Sequence, residues 1–135
     1  MNNIKLTTMC MIYNDNGEIL VQDRTKNDWP GITFPGGKVE KDELIEESCI
    51  REIKEETGLD IKNLECMNYI EWNTIEENVR HLCILFRTKD YDGKLIDSSE
   101  GRNFFIKEKD IQKYNLSYDF LKIYKIMKYG REKED

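Results

Sequence analysis

Apolar residues fall in short blocks along most of the chain, at strand spacing, while two longer stretches carry helical spacing instead. Residues 7–13 are apolar and β-prone, and Asn14-Asp15-Asn16-Gly17 has the composition of a hairpin turn. Residues 18–24 follow as a second strand built on Ile19, Leu20 and Val21. A loop over 25–31 leads to a short strand at 32–34. From Asp42 or Glu43 to Thr57 there is no Gly or Pro, and Glu, Ile and Leu dominate, which predicts a helix that stops at Gly58. Residues 61–71 contain a strand with Trp72 near its end, and 80–88 is the most β-like stretch, expected at the centre of a sheet. Residues 90–93 read as a turn, 103–106 as a strand, and 107–111 as a helical turn. Phe120, Leu121, Ile123, Tyr124, Ile126 and Met127 give 119–129 the spacing of an amphipathic helix, and 131–135 reads as a frayed tail.

Mixed strands with two helices fit a layered α+β architecture, and 135 residues fit one domain over 1–135. Charged residues make up 36% and hydrophobic ones 39%, which suits a compact protein with a modest core. The longest apolar runs, such as Leu82-Cys83-Ile84-Leu85-Phe86, are too short to span a bilayer, so no membrane partner is expected. No N-terminal segment has the pattern of a secretion signal, and the expected location is cytoplasmic. Cys10, Cys49, Cys66 and Cys83 sit in apolar segments without metal spacing, so they are expected to be buried thiols. His81, the sole histidine, has no Ser-His-Asp arrangement around it and reads as a half-buried strand residue. A net charge of −6 argues against a long nucleic-acid partner but not against a small polyanion held by a few local cations. Arg24, Lys26 and Lys38 are the candidates for that role, with ordinary surface charge as the alternative for the two lysines.

The chemistry concentrates in the first helix. At about 100° per residue, Glu52, Glu55 and Glu56 share one face within an arc of about 100°, while Cys49, Ile53 and Ile50 occupy the adjoining arc. Three carboxylates near the negative end of a helix dipole repel one another and call for a cation. All-oxygen donors of this kind favour Mg²⁺, with Mn²⁺ as a substitute. A solvated acidic face is the competing reading of the same three residues. The preceding segment, from Trp29 to Lys38, is rich in turn-forming residues, and Gly36-Gly37 lets the backbone approach a metal or phosphate closely.

Read in full, residues 37–59 match the pattern G-x5-E-x7-R-E-U-x-E-E-x-G-U, with U a bulky aliphatic residue, at all nine fixed positions. This is the Nudix box, and the chain resembles the Nudix hydrolases, which cleave nucleoside diphosphates linked to another group. The resemblance implies the Nudix fold, an α/β/α sandwich around a mixed β-sheet. It also implies metal ligands at Glu52, Glu55, Glu56 and the Gly36 carbonyl, and an Arg51 that orients the glutamates. Glu52 is the first choice of general base and Glu100 the second. Glu43 is either a dipole-stabilised surface carboxylate or an outer participant in the metal site.

The residues after the box are similar to those of MutT-like triphosphatases. Glu100-Gly101 precedes the aromatic strand around Phe104-Phe105, and Glu100 matches a carboxylate that reaches back to the metal, with a plain turn glutamate as the alternative. Arg24 ends a strand where related triphosphatases carry a phosphate-contacting arginine. ADP-ribose hydrolases usually have a proline where this chain has Asn73-Thr74-Ile75, and dinucleoside polyphosphate hydrolases a tyrosine where it has Glu76-Glu77. The resemblance therefore points to a nucleoside triphosphate diphosphatase acting on oxidised purine nucleotides such as 8-oxo-dGTP, as a monomer or homodimer. Another pyrophosphate-linked substrate (a nucleotide sugar, a pterin triphosphate, an RNA 5′ end) is the alternative, and a non-catalytic nucleotide sensor the more distant one. For the base, Trp29, Phe34 and Trp72 are candidate stacking surfaces, with core packing as the alternative for the two tryptophans. Asn115, Tyr118 and Asp119 are candidate hydrogen-bonding groups, with turn and helix-cap roles as the alternative for Asn115 and Asp119.

Overall fold

The structure is a computed structural model and describes residues 3–24 and 30–131. Nine strands and two α-helices form an α/β/α sandwich among these residues. The elements run β1 (Asn3–Ile12), β2 (Glu18–Arg24), β3 (Gly31–Thr33), β4 (Gly36–Lys38), α1 (Ile45–Thr57), β5 (Leu59–Lys62), β6 (Glu65–Thr74), β7 (Val79–Thr88), β8 (Asp90–Gly93), β9 (Gly101–Lys107) and α2 (Phe120–Tyr129), with a 3-10 helix at Glu108–Lys113. A mixed four-stranded sheet has the order β4-β1-β7-β6, and β1 and β7 run parallel across its middle. A three-stranded sheet, β3-β2-β9, and a β5-β8 ribbon complete the scaffold. Trp29 and Lys26, together with residues 132–135 of the expected tail, lie outside the described residues.

Strand alternation sends the side chains of β1 and β2 into two cores. Cys10 and Ile12 of β1 and Leu20 of β2 meet Cys49 and Ile53 of α1 on one side. Met11, Ile19 and Val21 meet Phe120, Ile123 and Met127 of α2 on the other. The two sheets are thus clamped between the same pair of helices, and each buried Leu or Ile contributes about 1.5–3 kcal/mol.

Several local expectations change. The Asn14–Gly17 turn forms, with Asn14 Oδ1 accepting from the N–H groups of Asn16 (3.0 Å) and Glu18 (3.2 Å). Its flanking strands, however, share a single bridge, Tyr13–Ile19, before diverging into separate sheets, because β1 is flanked by β4 and β7 instead. Residues 90–93 are a strand, not a turn: β8 pairs with β5, and Tyr91 packs against Phe105 at 5.7 Å between ring centres. The box helix begins at Ile45, since Asp42 takes a left-handed conformation (φ 71°) and the Glu43 carboxylate accepts from the Glu40 N–H. Gly58 (φ 81°) ends the helix as expected, its N–H returning to the Lys54 carbonyl. Cys66 is exposed, unlike the other three cysteines, because it sits at a register shift of β6 against β7. His81 is half-buried on β7, as expected.

Candidate active site

The loop from β3 through β4 into α1 places the box carboxylates beside the sheet. Glu52 lies against Gly37, where a Cβ would overlap its carboxylate. Gly36 is packed as tightly on β1, where a Cβ would meet the backbone of Thr8 and Met9. Both glycines are therefore demanded by close approach, not by backbone conformation.

Arg51 organises the acidic face. Its guanidinium grips Glu43 through Nε (2.6 Å) and Nη2 (2.9 Å), and its Nη1 reaches both Glu52 and Glu55 at 3.1 Å. Nη2 also donates to the Lys38 carbonyl at 3.1 Å, tying the helix to β4. This contact with Arg51 holds the Glu43 carboxyl down at about 2. Burial pushes the Glu52 carboxyl up from its ordinary value, with Arg51 opposing. The Glu52 side chain is only 13% exposed, which disfavours its charged form. Glu43 thus anchors Arg51, the residue that also contacts Glu52 and Glu55.

Glu56 is held from the opposite side. Ser98 Oγ donates to its carboxylate at 2.7 Å and Gln22 Nε2 at 3.4 Å, while Asn103 Nδ2 donates to its backbone carbonyl at 2.6 Å. Gln22 also donates to Asn103 across the β2–β9 register, so a buried amide pair fixes the end of α1. Sequence reasoning missed Gln22, Ser98 and Asn103. A signal existed in Gln22 and Asn103, two amides in strands whose other inward positions are apolar.

One cavity of about 720 Å³ gathers Glu52, Glu55, Glu56 and Glu100 with Arg24 and Lys38. Gly36, Phe34 and Trp72 border the same space. Phe34, expected as a stacking surface, is a core residue: it is buried and stacked on Phe120 at 4.6 Å. Trp72 remains 41% exposed and lies flat on His81, with 4.8 Å between ring centres and 2° between planes. Trp72 also borders a second hollow of about 390 Å³, between β6 and the start of α2, together with Tyr118, Asp119 and Lys122. Asp119 makes no side-chain cap to α2, so its carboxylate is not spent on the helix. Asn115 lines neither space; it is exposed, and its backbone carbonyl accepts from the Ile32 N–H at 2.8 Å as part of the parallel bridge between Ile32 and Leu116.

The donor set fits a hard divalent cation: the carboxylates of Glu52, Glu55, Glu56, Glu77 and Glu100 and the glycine backbone border one cavity, while its one histidine, His81, is engaged by the Thr74 hydroxyl and stacked on Trp72. Among the described residues, no three acidic, His or Cys side chains yet converge in metal-holding geometry. The hydrogen bonds explain this, because Arg51 draws Glu52 and Glu55 one way and Ser98 draws Glu56 the other. Among the described residues, no helix is long and apolar enough to cross a membrane.

Comparison with known structures identifies the architecture. A solved MutT structure, from work on the Aliivibrio salmonicida and Vibrio cholerae proteins, superposes with a TM-score of 0.78 at 19% identity, covering 93% of this chain and 98% of that one. The fold is the Nudix fold. The NUDIX domain pattern matches residues 4–124, and the chain belongs to that family. Among curated relatives, the m7GpppN-mRNA hydrolase of Saccharomyces cerevisiae is 33% identical over 115 residues, which is 79% of this chain but 12% of the yeast protein. The oxidized purine nucleoside triphosphate hydrolase of Danio rerio is 30% identical over 102 residues, 73% of this chain and 63% of that protein.

Proposed function

We propose that the chain is a Mg²⁺-dependent pyrophosphohydrolase that splits a nucleoside triphosphate, an oxidised purine nucleotide such as 8-oxo-dGTP, into the nucleoside monophosphate and pyrophosphate. The observation that carries this reading is the joining of Glu52, Glu55, Glu56 and Glu100 with Arg24 and Lys38 around one cavity that continues to Trp72. Similarity to the zebrafish purine triphosphate hydrolase supports the substrate class.

Glu52, Glu55, Glu56, Glu100 and the Gly36 carbonyl would hold the cation. When bound, Mg²⁺ (or Mn²⁺) neutralises phosphate charge and makes a water more acidic. The chain's own residues do the rest. Arg24 and Lys38 bind phosphate oxygens and orient the anhydride. Glu52 accepts a proton from the attacking water as its oxygen bonds to phosphorus and the bond to the bridging oxygen breaks. Arg51, anchored on Glu43, limits where Glu52 and Glu55 can move. The base stacks on Trp72, and Tyr118 and Asp119 hydrogen-bond its edge from the second hollow.

The test is a panel of pyrophosphate-linked compounds incubated with the purified protein and Mg²⁺. Oxidised purine triphosphates should give the highest kcat/KM. A preference for capped RNA, the substrate in the yeast relative's name, for nucleotide sugars or for a pterin triphosphate would replace the substrate while keeping the reaction.

A further inference from the structure

Among the described residues, one buried side-chain oxygen or nitrogen lacks a hydrogen-bond partner: Thr8 Oγ1. Thr8 is 1% exposed, yet it belongs to the wall of the carboxylate cavity. A valine would fill the same space without leaving a hydroxyl to satisfy, so the oxygen calls for an explanation.

Its position suggests one. Cys10 and Ile12, two and four residues further along β1, project into the α1 core, and strand alternation puts Thr8 on that same face. Across the β1–β4 register Thr8 stands directly opposite Gly37, and the Glu52 carboxylate occupies the space where a Gly37 side chain would begin. Opposed Cβ positions in an antiparallel pair are roughly 5 Å apart, which leaves the hydroxyl and the carboxylate about one water apart. On the β7 side its neighbour in register is Ile84, which has no polar side chain to offer.

We propose that Thr8 is a positioning residue for Glu52, acting through one ordered water that bonds both the Thr8 hydroxyl and the carboxylate. Arg51 holds Glu52 on one side, with the same guanidinium also bound to Glu43 and Glu55. The water supplies a second fixed point from inside the fold, so that the carboxylate is held between the two. The kinetic part of this proposal rests on the role given to Glu52 above; the water itself does not.

The test combines a high-resolution crystal structure with the variants Thr8→Val and Thr8→Ser. Wild type should show a water within hydrogen-bond distance of Thr8 Oγ1 and the Glu52 carboxylate, and Thr8→Val should lose it. Thr8→Val should lower kcat about tenfold with KM nearly unchanged and Tm unchanged or higher, while Thr8→Ser keeps wild-type kcat. Absence of the water, wild-type kcat in Thr8→Val, or equal loss in both variants with a lower Tm would overturn the proposal. If wild type hydrolyses nothing in the panel, the proposed function fails alone, and the water and the Tm comparison still decide the role of Thr8.

Discussion

Gly37 and Glu52 meet so closely that any side chain at position 37 would occupy the place of the Glu52 carboxylate. The obstacle there is the end of a flexible side chain, so the fold can yield by moving Glu52. At the neighbouring Gly36 the obstacle is β1 backbone, which cannot yield cheaply. Gly37→Ala is therefore expected to lower turnover by about 10²-fold, a typical effect of misplacing a reacting group, with Tm nearly unchanged. Gly36→Ala should destabilise by roughly 1–3 kcal/mol through overpacking. Thermal melts and turnover of the two variants check the contrast; a stable, fully active Gly37→Ala would break the link between that contact and function.

Removing the charge of a box carboxylate without changing its shape isolates its role. Glu52→Gln or Glu56→Gln should reduce turnover by roughly 10²–10⁴ while leaving the fold intact, as for loss of a catalytic group. Glu100→Gln should cost less than Glu56→Gln. The reverse ranking in steady-state kinetics would reject the secondary place given to Glu100.

The Glu43–Arg51 contact should appear in the acid limb of stability. Arg51 lowers the Glu43 carboxyl from an ordinary 4.5 to about 2 in the folded chain. Such a depressed carboxyl contributes stability that is complete above about pH 4.5 and disappears as the pH falls toward 2. Wild type should therefore melt above Glu43→Gln at pH 7, and the gap should shrink by pH 3. A gap independent of pH would show that the contact is not electrostatic in origin.

How much of this was legible in the chain depended on whether contacts were local. The box helix, the Gly58 stop and the α2 pattern depend on neighbours within one or two turns, and each appears within a few residues of its expected place. The separation of β1 from β2, and the pairing of β8 with β5, were decided by partners distant in sequence, which local turn composition cannot report. The same holds at the site. The glutamates stood out by spacing, whereas Gln22, Ser98 and Asn103 reach Glu56 from 34, 42 and 47 positions away. Phe34 looked like a free aromatic surface because nothing local announces Phe120 on its face.

Trp72 offers a test of where the base goes. Its exposed ring, backed by His81, should contribute to binding and not to the bond-breaking step. Trp72→Ala is expected to raise KM for a purine nucleoside triphosphate about tenfold, the loss of one stacking contact of roughly 1–3 kcal/mol, with kcat within a factor of a few. Unchanged KM would move the base elsewhere in the cavity.

Cation-dependent cleavage by the acidic face of α1 can be measured directly. Purified wild type and Glu56→Gln would be incubated with nucleoside triphosphates, with and without Mg²⁺, while monophosphate and pyrophosphate are quantified. The expected result is equimolar release of both products by wild type only when Mg²⁺ is present, with Glu56→Gln slower by at least about 10²-fold. Pyrophosphate release independent of added cation, or no anhydride bond broken by wild type in any compound of the panel, would contradict it.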